Sequence, residues 1–253
     1  MPKTITIRVY EELNDFLHHS RRKKPFSFTF FGKRTVKDII ESIGIPHTEI
    51  DLILANSISV PFDHYPSDGD YISVYPVFET LDIADVTRLR PTPLREPAFI
   101  LDVHLGTLAR YLRLAGFNST YRNDLEDEEI IRISLEEHRI ILTRDLALLK
   151  NGQITHGYFV RNTIPKRQFS EILQRFDLKN KLNPFTRCLD CNGPIEKVDT
   201  GAIRKQIPAN TLRRMNEFYQ CRSCGKVYWK GSHYDRMAEM LLRSSALSIP
   251  FFL

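Results

Sequence analysis

Apolar and polar positions alternate through the first part of the chain. TITIRVY (4–10) places Ile5, Ile7 and Val9 on one face, and FSFTFF (26–31) repeats the pattern, so both read as half-buried strands. ELNDFL between them is short and helix-compatible, and the basic run RRKK (21–24) marks a turn. VKDIIESIGI then changes period. Its apolar residues at 36, 39, 40 and 43 form one helical stripe, with Thr35 as N-cap and Gly44 as stop. DLILANSISV (51–60) and YISVYPVF (71–78) read as two more strands, separated by the turn residues SDGD. The order β-β-α-β-β predicts a small α+β unit over residues 1–80. Pro91, Pro93 and Pro97 make 81–97 an extended linker.

From residue 98 strands and helices alternate. FILD leads into LGTLARYLRLAG, whose apolar residues at 105, 108, 112 and 115 mark a helix. FNSTYR, DEEIIRISLEEH, RIILTRD, ALLKNG, THGYFVRN and QFSEILQRF continue the alternation. This predicts an α/β domain over 98–183, a parallel sheet with helices on both faces and right-handed crossovers. Residues 184–253 abandon the pattern and carry all four cysteines.

Composition narrows the class. With 253 residues, 42% hydrophobic and 26% charged, the chain reads as ordinary globular protein. No apolar run reaches the ~20 residues of a membrane helix. MPKTITIRVY reads as a strand and not as a signal peptide, so a cytoplasmic protein without membrane association is expected. The net charge of +5 is uneven: −2 over 1–80, +2 over 81–186 and +5 over 187–253. A basic C-terminal part beside a section rich in acids suits a polyanionic substrate, or is simply a solvated surface.

Candidate chemistry sits at the strand ends. FIL delivers Asp102 and IILTR delivers Asp145, with Asp124, Glu126, Asp127, Glu128 and Glu129 between them. Acids gathered at the carboxyl ends of strands suit a hard cation such as Mg²⁺ or Mn²⁺. The bland alternatives are a turn residue for Asp124 and a helix N-terminal charge for Asp127. Cys188-Leu-Asp-Cys191 and Cys221-Arg-Ser-Cys224 lie 29 residues apart, the spacing of a four-thiolate structural zinc site, with Gly193 and Gly225 easing the turns. Disulfides, the competing reading, fit a cytoplasmic chain poorly. Trp229, Lys230, Ser232, His233 and Arg236 form an aromatic-basic cluster after the second pair. It serves RNA contact, or else the aromatics are core and His233 only opens a helix.

Two resemblances follow from these motifs. DLILANS…PSDGDYISVYPVF resembles the ubiquitin-like β-grasp, nearest to the sulfur carriers of thiamine and molybdopterin biosynthesis. Those carriers end in a free Gly-Gly. This chain runs on as FETLDIADV, so carrier chemistry is unavailable and the unit is a partner-binding module or a structural cap. ILDVHLGTLARYLRLAGF, YRNDLEDEEII, RIILTRD, RCLDCN, the second CxxC and YWKGSH together resemble the PIN-like RNase domain with attached zinc ribbon of the Mut-7 C-terminal type, over roughly 97–240. The resemblance implies an α/β fold with a PIN-like parallel sheet, fused to the N-terminal β-grasp domain and ending in a zinc ribbon. It implies metal-dependent RNA cleavage, with structured RNA such as tRNA one possible substrate. Carried over by position, Asp102, Asp127 and Asp145 hold Mg²⁺ or Mn²⁺, with Asp124 and Glu128 as catalytic neighbours. Arg144, Arg161, Trp229, Lys230, Ser232 and His233 contact RNA; Arg144 could equally pair with an acid. No fourth acid follows the later strand, where YFVRNTIPKRQF offers Arg161, Asn162 and Gln168. The alternative is a non-catalytic RNA-binding or adaptor protein.

Overall fold

The computed structural model describes residues 1–76, 86–89 and 97–245. Most of the expected linker and the last two residues of the strand at 71–78 lie outside these. The chain packs as two compact units, residues 1–96 with 145–159, and residues 97–144 with 160–253.

In the first unit, strands Lys3–Val9 (β1), Phe26–Phe30 (β2), Ile50–Ala55 (β3), Ile58–Ser59 (β4) and Tyr71–Pro76 (β5) form one sheet in the order β2-β1-β5-β3-β4. β1 and β5 run parallel while their outer neighbours are antiparallel, the β-grasp arrangement. Helix Val36–Ser42 (α1) begins at Thr35 in a full capping box with Asp38. Its Val36, Ile39 and Ile40 are buried with Ile5, Ile7, Val9, Ile53, Ile72 and Val74 in one core. Each such side chain contributes roughly 1.5–3 kcal/mol relative to exposure. The stretch 51–60 departs from the single strand expected. Asn56 and Ser57 both take positive φ, 49° and 71°, and fold it into a hairpin pairing Ala55 with Ile58.

The same unit takes in helix Leu146–Leu149 (α2) and strand Gly157–Phe159 (β6). His47, in the turn before β3, bonds the Glu41 carboxylate through Nδ1 at 2.6 Å and the Ile154 carbonyl through Nε2 at 2.8 Å. Glu49, fully buried, accepts the Phe159 amide at 2.5 Å. The Phe159 ring meets Phe16 edge-on at 5.7 Å. The β-grasp sheet is thereby stitched to chain about 110 residues further on.

In the second unit, strands Phe99–Leu101 (β7), Ser119–Thr120 (β8) and Ile140–Thr143 (β9) are parallel, with β7 between the other two. Helices Gly106–Leu114 (α3), Asp127–Glu136 (α4) and Pro165–Arg175 (α5) alternate with them. Leu108, Leu112, Ile130, Phe169 and Ile172 on these helices are buried, as are Phe99, Ile100 and Leu101 of the central strand. The C-terminal ribbon is a sheet of Ile195–Val198 (β10), Phe218–Cys221 (β11) and Val227–Trp229 (β12), followed by helix Ser232–Ser245 (α6). Among the described residues no helix is long and apolar enough to cross a membrane.

Candidate active site and zinc ribbon

Asp102 follows β7 directly and is only 7% exposed. Register explains its partner. Leu101 pairs with Leu142, so the next residue of each strand meets, and Thr143 Oγ1 donates to Asp102 Oδ2 at 2.6 Å. The Asp102 amide donates to the Leu142 carbonyl at 3.1 Å. Tyr121 braces the following turn by donating to the Val103 carbonyl at 3.0 Å. A side chain at Gly106 would meet that phenol, since its Cβ would lie 2.6 Å from Tyr121 Oη. A carboxylate is thus held rigidly at the mouth of a buried strand.

Asp145 is exposed, two residues past β9, and caps α2 by accepting the Ala147 amide at 2.7 Å. Asp127 is exposed at the first position of α4, beside Glu128. Asp124 pairs with Arg122 at 3.0 Å, and the same guanidinium reaches Glu129 at 3.0 Å. Among the described residues no three acids bring their oxygens within 4.8 Å of one another. The donor chemistry fits a hard cation. Mg²⁺ tolerates this spacing, because it keeps several waters and binds through one or two carboxylates plus substrate phosphate.

Arg144 has a packing role. Its Nη1 donates to the carbonyls of Val160, Arg161 and Asn162 at 2.7–2.8 Å. Glu171 works from the other side, accepting the amides of Arg161 and Asn162 and the Asn162 side chain at 2.6–3.0 Å. Together they fix the 160–162 turn that carries Arg161.

The four cysteines do converge. Their sulfurs lie within 4.8 Å of one another, Cys188 to Cys224 at 3.6 Å and Cys191 to Cys221 at 3.4 Å. Four thiols gathered from two turns fit tetrahedral zinc. Both turns are built alike: Asn192 donates to the Cys188 carbonyl and Gly225 to that of Cys221, each at 3.0 Å. The left-handed position is filled by Asn192 (φ 68°) in the first turn and Gly225 (φ 74°) in the second. Gly193 sits tightly against the second turn instead, since a Cβ there would displace the Ser223 side chain and lie 3.0 Å from Cys221 Sγ. Burial works against a thiolate at Cys188, but the Tyr228 hydroxyl and the Cys191 and Asp190 amides outweigh it and hold the thiol at about 7.

Of the aromatic-basic cluster, Trp229 packs edge-on against the buried Phe218 ring at 6.4 Å and joins the core of Ile203 and Ile207. Lys230 is exposed, 3.8 Å from Glu217. Ser232 is exposed at the start of α6. His233 follows it, with its side chain outside the described residues.

With the strand-end acid, the helices and the four-thiol ribbon in place, comparison with known families is decisive. The Mut7-C RNAse domain matches residues 97–241, and the Mut7-C ubiquitin domain matches residues 2–82. The chain belongs to the Mut7-C RNase family. Membership carries a nuclease, RNA-directed role for residues 97–241 and a ubiquitin-like identity for the N-terminal unit. No curated protein and no solved structure matches the chain.

One residue of the family segment escaped the sequence reading. Arg113 on α3 is 3% exposed, and burial presses its pKa down. It donates to the Ser119 carbonyl at 2.8 Å, and to those of Leu189 and Asp190, inside the first cysteine turn, at 3.0 and 2.8 Å. Asn192 adds bonds to the Ser119 amide and the Asn118 side chain. The ribbon is therefore clamped onto the α3–β8 corner. Helical periodicity placed a charge at 113 beside the buried face, but no spacing rule reveals carbonyl acceptors supplied 76 residues away.

Proposed function

We propose that the chain is a divalent-metal-dependent ribonuclease of PIN-like type that hydrolyses RNA phosphodiesters. Asp102 is the principal carboxylate, and Asp127 and Asp145, with Asp124 and Glu128 nearby, complete the acidic set. Support comes chiefly from the family match over 97–241 together with a buried strand-end Asp102 held by Thr143. The proposed Mg²⁺ or Mn²⁺ would supply Lewis-acid stabilisation of phosphate charge and a more acidic bound water. The chain's own part is to fix Asp102 through Thr143 and Tyr121, and to present Arg161 and the basic ribbon to the RNA backbone. The four cysteines hold structural zinc. Structured RNA such as tRNA is the substrate class proposed, the setting is cytoplasmic, and the ubiquitin-like unit offers a surface to a protein partner.

The test is incubation of purified protein with total RNA in Mn²⁺, followed by mapping of product ends. Wild type should cut, and Asp102→Asn and Asp145→Asn should each reduce cutting to background with the fold and zinc content intact. Full activity in both variants would end the proposal. A second reading, a non-catalytic RNA-binding protein, draws on the lack of a closed acidic cage among the described residues. It expects binding without cleavage under any metal.

A further inference from the structure

The ribbon sheet has two faces with different fates. Phe218, paired with Trp229, turns towards Ile203 and Ile207 and makes a small core. On the other face, Lys197 pairs with Tyr219 and Tyr219 pairs with Tyr228, so the three side chains stand in a row across the strands. This row is the floor of a cleft of about 340 Å³. Phe185 and Tyr234, stacked at 4.1 Å, stand along it, and Lys230 lies at its rim. All four aromatic rings of the cleft named here are half-buried, so part of each faces the opening. Tyr228 is held in place because its hydroxyl touches Cys188 Sγ and receives the Leu189 amide, both at 3.1 Å.

The volume suits one small ligand unit. Its walls offer π faces, and its rim offers ammonium groups in the part of the chain with the largest positive charge. An apolar peptide would use the rings and leave the lysines unmatched. A duplex keeps its bases stacked on each other and offers no free face, whereas an unpaired nucleotide brings both a base face and a phosphate. Lys197 and Lys230 lie 2.6 and 3.8 Å from Glu217. These are exposed pairs of small net worth, so a phosphate can compete for the lysines.

We infer that this cleft receives an unpaired nucleotide of single-stranded RNA, its base stacked on Tyr219 and its phosphate facing Lys197 and Lys230. The inference rests on the ribonuclease reading for the choice of RNA as ligand. It adds that the ribbon selects single-stranded segments.

Fluorescence anisotropy with the full zinc-loaded chain tests it, using labelled oligouridine and a hairpin duplex without added Mg²⁺ or Mn²⁺. Oligouridine should bind more tightly than the duplex. Tyr219→Ala should weaken oligouridine binding about 5- to 150-fold, the range of one base–aromatic stack, while Tyr219→Phe stays within about twofold of wild type. Lys197→Gln should flatten the salt dependence by about 0.7 in log–log slope. Wild-type affinity in Tyr219→Ala, an equal loss in Tyr219→Phe, or equal binding of the duplex would each overturn the inference. Cleavage in Mn²⁺ is scored separately. Tyr219-dependent binding without cleavage would leave the cleft standing and remove the nuclease reading; cleavage with Tyr219-independent binding would do the reverse.

Discussion

Tyr228 donates its hydroxyl hydrogen to Cys188 and so favours the thiolate that zinc requires. Proton and metal compete for that sulfur. A thiol whose pKa is lowered by folding lends stability above its ordinary range, and that stability is lost as pH falls through the lowered value of about 7. Tyr228→Phe removes the donor, so the Cys188 pKa rises and zinc is lost at a higher pH. Zinc affinity should also drop roughly 10- to 100-fold, as for other outer-shell partners of metal ligands, measured by competition with a chromophoric chelator across a pH series. The cysteines themselves were legible from spacing. Tyr228 was not, because its role depends on pairing β11 with β12. The same holds at the other end of the unit. Asp102 announced itself as an acid ending an apolar run, while its partner Thr143 follows only from the register of β7 on β9.

At the scale of elements, α3 and the first cysteine turn behave as one piece because Arg113 spans them. Arg113→Met should cost about 2–4 kcal/mol in denaturant unfolding, since the buried carbonyls of Ser119 and Leu189 would lose this donor. Zinc release to a chelator should quicken in parallel. Arg113→Lys should recover little, because a single ammonium cannot reproduce the guanidinium fork. Most elements were readable from periodicity, including α1 with its cap and the alternation from 98 onward. The stretch 51–60 was not, since DLILANSISV has no Gly or Pro to mark the turn. Asn56 and Ser57 adopt the left-handed conformations that glycine usually supplies. Trp229 was read as an RNA contact from the aromatic-basic cluster and the YWKGSH motif; its ring packs on Phe218 while the residue also lines the cleft with Tyr219 and Tyr228, a placement that only the β11–β12 register reveals.

At the scale of the molecule, the ubiquitin-like unit includes residues 145–159. A chain shortened to residues 97–253 would lose His47, Glu49 and Phe16, leaving the Ile154 carbonyl, the Phe159 amide and the Phe159 ring without these partners. Limited proteolysis with mass mapping should find new cuts between about residues 150 and 160 in the shortened chain and none there in the full one. Composition and motif order revealed the two modules, but this tie was invisible because one histidine and one glutamate in a turn look like ordinary surface. His47 and Glu49 also set a schedule for synthesis. The β-grasp sheet leaves the ribosome first, yet its buried carboxylate waits for a backbone amide translated 110 residues later. Glu49→Leu, which removes the acceptor, should therefore surface as poor yield of the whole polypeptide, a defect of maturation registered far downstream of the altered codon.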